Sequence, residues 1–240
     1  MGMTLWLGVA LGLVAGVAAW AAFARWYPWL SLSEELLRIN MFSPPAEMAK
    51  RAAAQQQINA LNPMVAMAVW GAILGGMLGL GEGVGRRRVG VGLVAVVVCA
   101  LFGGLCGGLA GLAGHVVLSS YAPDALPGEL SRTILSQAAM LGVMGGGVGL
   151  GWGVTRATFR SEALGLVCGA LGGVLAAMLH TVLAAWLFPN LHTEMIIPEE
   201  PGSRLAWLVL GSGLVGTMVA AAARGSTPRP ARASPCERPA

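Results

Sequence analysis

Two histidines offer the clearest prospect of metal or cofactor chemistry in this chain. His115 and His180 hold the same position relative to two apolar runs in which small residues recur every four positions. Neutral imidazole is a common ligand of transition metals and haem-like tetrapyrroles, so two rings facing one another would form such a site. The alternative is that each ring hydrogen-bonds a neighbouring helix. Because no third ligand, carboxylate or thiolate accompanies the pair, we expect no cofactor and no metal.

A second candidate is an acidic residue at the end of a long apolar segment. Glu82 lies between two glycines, and Arg86 follows one helical turn later. Residues four apart are neighbours on a helix, so this spacing predicts an ion pair at the membrane interface. A carboxylate that relays protons is the alternative, because ionisable groups in membrane segments often belong to transport pathways.

Patterns typical of membrane enzymes are missing from the sequence. It has no Gly-x-Ser-Gly motif, no paired aspartates in apolar segments, and no serine–lysine or metalloprotease pattern. Cys99, Cys106 and Cys168 lie in apolar segments and form no CxxC or Cys/His spacing. We therefore expect a protein that is not an enzyme.

Composition places these residues in a membrane. The 240 residues are 56% hydrophobic and 11% charged, with a mean hydropathy of +0.71, which leaves too few charges to cover a soluble surface. A spanning helix needs about 20 mostly apolar residues. We predict an all-α integral membrane bundle of six transmembrane helices, near residues 4–24, 64–84, 91–119, 134–155, 163–187 and 205–223. None carries a central Lys, Arg or Asp or an internal proline, so the usual signature of an ion-coupled transporter is missing.

Stripes of small residues recur along these spans. The stripes are Gly8-Gly12-Gly16, Gly103-Gly107-Gly111, Cys168-Gly172-Ala176, and Gly71-Gly75-Gly79-Gly83, of which the last matches Gly145-Gly149-Gly153 at an offset of 70 positions. Arg156 follows Arg86 at the same offset. We predict three tandem two-helix repeats in a pseudo-threefold bundle, with Gly-xxx-Gly packing between closely approaching backbones. Leucine at Gly107 or Gly172 should disrupt the fold, whereas leucine at Gly202 should be tolerated.

We predict a transmembrane domain at residues 1–223. Two further segments are not membrane spans: a loop within this domain and a tail that follows it. Residues 25–63 form an amphipathic outer loop with two short helices, one starting near Ser31 and one near 46–61, separated by prolines. This loop serves either as a lid over the bundle or as a docking site for a partner. Residues 224–240 mix Pro, Arg and Ser, which predicts a disordered basic cytoplasmic tail that can touch anionic lipid heads.

Arginine placement orients the chain. If both termini are cytoplasmic, nine basic residues lie on the inner side and six on the outer side, and the triplet at 86–88 occupies a short turn. We predict a multi-pass protein of a bacterial inner membrane, because Arg, Ala and Gly usage fits a bacterium of high genomic GC content. Its expected partners are membrane lipids, other membrane subunits or a second copy, and no nucleic acid.

The segment 79–87, with alternating glycines followed by two arginines and a Gly-rich helix, resembles paired-helix modules of uncharacterised bacterial membrane proteins. Some of those proteins carry signalling domains such as forkhead-associated modules. The resemblance covers roughly residues 70–220, implies a glycine-packed membrane fold, and assigns no role to particular residues.

These patterns favour a structural or accessory membrane subunit without catalytic activity. One alternative is a channel or transporter for a small solute or ion through the bundle. A second is a subunit that binds a tetrapyrrole or metal through His115 and His180.

Overall fold

The computed structural model describes residues 4–40, 42–120, 130–187 and 197–226, and these residues are almost entirely helical, with no strands. Six of the helices are long and apolar enough to cross a membrane, as predicted from hydropathy. The predicted tail falls outside the described residues beyond position 226. The helices are α1 (Leu5–Trp26), α2 (Glu34–Leu37), α3 (Pro45–Arg86), α4 (Val89–Ser119), α5 (Leu130–Val154), α6 (Phe159–Leu187) and α7 (Pro201–Gly225).

The segment between the first two spans differs from the prediction. Its first helix, α2, has only four residues and begins at Glu34 rather than near Ser31. Its second helix does not end before the span but continues into it, so that α3 runs unbroken for 42 residues with Pro63 inside. The predicted span 64–84 contains no proline, but α3 begins well before it and so includes Pro63.

Tertiary contacts explain why α3 continues through Pro63. The neighbouring Asn62 is buried, and its side-chain amide donates to and accepts from the backbone of Leu30, both at 2.9 Å. Proline removes one helical hydrogen bond, at a local cost of about 3 kcal/mol in a soluble helix. The contacts around residues 62–63 offset that cost, which composition alone does not reveal.

The six long helices close into a ring in the order α1, α3, α4, α5, α6, α7 and back to α1, each contacting the next. The helices α3, α5 and α7 also contact one another and are the most buried, so they form the inner layer. The helices α1, α4 and α6 lie outside, each between two inner helices. The order of helices along the chain does not show whether they form a closed ring. The contact between α1 and α7 closes the ring.

Each outer helix approaches one inner helix very closely. A Cβ atom built on Gly71 would lie 2.0 Å from the Gly103 carbonyl oxygen, and one built on Gly149 would lie 2.0 Å from that of Gly165. At the third pair, a Cβ on Gly12 would lie 2.4 Å from the Ser212 carbonyl oxygen. The closest pairs are therefore α3 with α4, α5 with α6, and α7 with α1.

The register of these pairs differs from the one expected from the stripes. Gly75 lies against Cys99 and Gly145 against Gly169, so the contacts relate α4 to α6 by 70 positions, whereas the stripes aligned Gly103 with Cys168, 65 positions apart. Gly172 faces α7 rather than α5, with a built Cβ 3.0 Å from the Leu214 carbonyl oxygen. The stripe of α6 that contacts α5 is Gly165-Gly169-Gly173, whose last two members each lie one residue beyond Cys168 and Gly172, so the presence of two neighbouring stripes left the alignment ambiguous.

Tight turns join α3 to α4 and α5 to α6 at one end of the bundle, which we call the arginine end; the opposite end is the loop end. Each turn contains a residue other than glycine with left-handed backbone, Arg87 at φ 53° and Ala157 at φ 52°. The last residues of α7 also lie at the arginine end, since Arg156 contacts Ser226. The three inner helices therefore run in the same direction.

Candidate functional site

The two candidate histidines are not brought together. His115 lies half-buried on α4 and His180 lies buried on α6, and these two helices share no contact within the described ranges. The His180 ring centroid lies 6.4 Å from that of Trp207, and its Nε2 has no hydrogen-bond partner. A site formed by two facing imidazoles is therefore not present in this arrangement.

Glu82 lies fully buried at the arginine end and is the centre of a charged cluster. Its Oε1 accepts from Arg86 Nε at 2.7 Å, which is the ion pair that their spacing predicts. Its Oε2 accepts from Arg156 Nη2 at 2.9 Å and from the indole Nε1 of Trp152 at 3.2 Å. The carboxylate thus connects α3 to α5 through Trp152 and to the turn after α5 through Arg156, while Arg86 pairs with it within α3.

Arg156 extends this cluster to the third inner helix. Its Nη1 donates to the Ser226 hydroxyl at 3.1 Å and to the Ala223 carbonyl at 3.4 Å, both at the end of α7. Its guanidinium lies 4.5 Å from the centre of the Trp152 ring, within the range of a cation–π contact. A buried carboxylate with two such partners is costly to disturb, because removing one partner leaves a charge without compensation.

Three buried tryptophans link the inner helices in a cycle. Trp152 on α5 donates to Glu82 on α3, and Trp70 on α3 donates to the Ser212 hydroxyl on α7 at 2.8 Å. Trp207 on α7 completes the cycle by donating to the Gln137 side-chain oxygen on α5 at 2.7 Å. All three indoles are fully buried, so bulky side chains fill the space between α3, α5 and α7.

The sequence contained a signal for part of this cluster. When the sequence is aligned with itself at an offset of 70 positions, Arg156 corresponds to Arg86 and Trp152 to Glu82. The same offset separates Gln137 from Trp207. In a ring of similar units, equivalent positions surround the axis and contact one another. The offset that aligns the glycines of α3 and α5 therefore also relates polar residues that contact one another.

The loop end is closed by contacts between α1, α7 and the segment after α1. Trp20 Nε1 donates to the Pro201 carbonyl at 3.2 Å, and the Arg204 guanidinium lies 4.9 Å from the centre of the Tyr27 ring. Burial raises the pKa of Tyr27, against an opposing effect of Arg204. These contacts fix the start of the 27–33 segment over α7.

The first part of α3 stands apart from the bundle. Residues 45–57 are mostly exposed, and they border a shallow groove of about 390 Å³ beside Ile39 and Asn40. At 1.5 Å per residue, the 42 residues of α3 extend for about 63 Å, roughly twice the hydrocarbon thickness of a bilayer. We call residues 45–61 the arm, because a helix of this length must project beyond or lie upon the membrane.

The chain matches no protein family model, no curated protein and no solved structure.

Proposed function

We propose that this chain is a non-catalytic structural or accessory subunit of a bacterial inner membrane, with both termini in the cytoplasm. It packs through its glycine stripes against its own helices and associates with other membrane proteins or with a second copy.

The filled centre of the bundle is the observation that carries this proposal. Trp70, Trp152 and Trp207 occupy the space between the inner helices, and the Trp70 and Trp207 rings lie 4.7 Å apart. A solute pathway along the axis would need these side chains to move. The outer surface is apolar, as on α4, where Leu101 and Leu105 are 59% and 71% exposed, which suits contact with lipid or another membrane helix.

Pseudo-threefold repetition is part of the proposal. It is supported by pairs of contacting residues that are one offset apart, namely Glu82 with Trp152 and Arg156 with Ser226. The contacts favour repeats made of an inner helix and the outer helix that follows it, with α1 completing the third repeat beside α7. Glycine packing is supported by built Cβ atoms that would lie 2.0–2.4 Å from backbone oxygen atoms in all three pairs.

The arm is the best candidate for the surface that binds a partner. Its side chains are mostly exposed, whereas a lid over the bundle would bury one face of the helix. An isolated helix with few tertiary contacts is marginal in water, so a partner helix would stabilise it.

Purification of the tagged protein from its own membranes in a mild detergent tests the proposal. We expect another membrane protein, or a second copy, at a fixed stoichiometry. The variant Ala49→Glu/Ala53→Glu, which changes only exposed positions of the arm, should lose this partner while keeping the thermal stability of the wild type. A monomer without any partner would contradict the proposal.

A proton or ion pathway is the second candidate, favoured by the polar side chains that line the inner helices from Gln137 through Ser212 to Glu82. Flux of protons or small ions into liposomes that contain the purified protein tests it. Flux above that of empty liposomes, reduced in Gln137→Leu, would support a pathway, and its absence would exclude one under those conditions.

A further inference from the structure

The arginine end of the bundle carries an excess of positive charge. Its described charged residues are Arg86, Arg87, Arg88, Arg156, Arg160, Arg224, Glu82 and Glu162. Glu82 is buried and holds Arg86 and Arg156, so it does not neutralise the others. Of the remaining residues, Arg87, Arg88, Arg160 and Arg224 are exposed, and Glu162 is half-buried.

The loop end has no such excess among the described side chains. There, five basic residues face five acidic ones: Arg25, Arg38, Lys50, Arg51 and Arg204 against Glu34, Glu35, Glu47, Glu199 and Glu200. Among the described side chains, the excess of positive charge therefore lies at the arginine end alone.

Large apolar side chains lie beside the exposed arginines. Val89 and Phe159 are the first residues of α4 and α6, directly after the two tight turns, and they are 82% and 83% exposed. Water would be a poor environment for both. Apolar side chains next to arginines match the boundary where acyl chains meet phosphate groups.

The two turns converge on one carboxylate. Arg86 and Arg156, each at or just beyond the end of an inner helix, both contact Glu82, so the turns that follow them lie on either side of it. The exposed arginines of both turns therefore belong to one surface. Guanidinium groups bind phosphate oxygens in a bidentate manner, which makes arginine well suited to this ligand.

We infer that the arginine end binds the phosphates of anionic phospholipids through Arg87, Arg88 and Arg160, with Val89 and Phe159 inserted among the acyl chains. The excess charge favours anionic over zwitterionic headgroups. This inference does not depend on the protein partner proposed above.

Lipid retention measured by native mass spectrometry tests the inference. The protein is equilibrated in nanodiscs of equal phosphatidylglycerol and phosphatidylcholine, released into mild detergent, and the retained lipids are counted by type. We expect phosphatidylglycerol to be preferred and the preference to fall with salt. Arg87→Gln/Arg88→Gln/Arg160→Gln should lower retention of phosphatidylglycerol about a hundredfold, since each surface arginine contributes roughly fivefold.

The matched control, Arg25→Gln/Arg38→Gln/Lys50→Gln, removes the same charge from the loop end and should keep the preference. Equal retention of the two lipids by the wild type would overturn the inference without any variant, whatever the folding of the variants. Equal loss in the control would overturn it too. Displacement of the lipid by excess inorganic phosphate would instead assign the surface to free phosphate, and would also contradict it.

Discussion

Substitution of adjacent glycines on α4 tests whether close backbone approach holds the bundle together. A Cβ atom on Gly107 would lie 2.2 Å from the Met67 carbonyl oxygen on α3. A Cβ on the next residue, Gly108, would have the Ala68 Cβ as its nearest neighbour, at 3.8 Å. A backbone oxygen, that of Met64, also lies 3.8 Å from the Gly108 position, so Gly107→Ala and Gly108→Ala add the same methyl group to the same helix, but only the first brings it closer to backbone than ordinary contact.

The expected loss of stability in Gly107→Ala follows from how far the two backbones must separate to admit the methyl group. Ordinary contact begins near 3.4 Å, so the methyl group at Gly107 requires the backbones to separate by about 1.2 Å (3.4 − 2.2). Overpacking of this kind costs about 1–3 kcal/mol, and alanine favours a helix over glycine by about 1 kcal/mol. We expect Gly107→Ala to lose up to about 2 kcal/mol and Gly108→Ala to gain up to about 1 kcal/mol.

Unfolding in detergent, by heat or by increasing SDS, measures this difference, because the helix propensity cancels between the two variants. Equal shifts would refute the idea that backbone contact at Gly107 limits the packing. The same reasoning ranks the leucine variants. Gly107→Leu should be more harmful than Gly172→Leu, whose Cβ would lie 3.0 Å from backbone, and Gly202→Leu should be the mildest, since it meets only the end of the Glu200 side chain.

Three further predictions concern the arginine end and the ring. Glu82→Gln should destabilise the fold by about 3 kcal/mol, because it leaves two arginines without their buried counter-charge, whereas Glu162→Gln should change it by less than about 1 kcal/mol; unfolding in SDS compares them. Ala157→Gly should raise stability by about 0.5–1 kcal/mol, since it relieves left-handed backbone, and a lower melting temperature would contradict this. A circular permutant that joins the end of α7 to the start of α1 by a short linker, with new termini at residues 121–129, should fold and melt as one unit; failure to yield a folded monomer would argue against the ring of three equivalent pairs.

The membrane spans were predictable because the solvent enforces them. In hydrocarbon, every backbone polar group must be paired within the chain, so a long apolar run becomes a helix even when it is rich in glycine. This is why the first predicted span, 4–24, agrees with α1 (Leu5–Trp26) to within about two residues. The rule does not give the start of α3, which continues through Pro63 where Asn62 and Leu30 form hydrogen bonds.

The partners of each helix were not predictable, because small residues specify closeness without specifying position. A stripe such as Gly103-Gly107-Gly111 fits another stripe in several registers, one turn apart. The offset of 65 aligned this stripe with Cys168-Gly172-Ala176, whereas α6 contacts α5 through the neighbouring stripe Gly165-Gly169-Gly173, which lies at an offset of 70.

Directional hydrogen bonds specify the register between helices, which the stripes of small residues leave open. An indole N–H in a dry interior must find an acceptor, and a slide of one turn, about 5.4 Å, would break all three tryptophan bonds at once. We therefore expect the glycine stripes to hold the outer helices against the inner ones, and the tryptophan bonds to fix the inner helices relative to one another. Gln137→Leu should then loosen the inner helices by about 1 kcal/mol without separating α5 from α6, since that pair depends on Gly145, Gly149 and their partners.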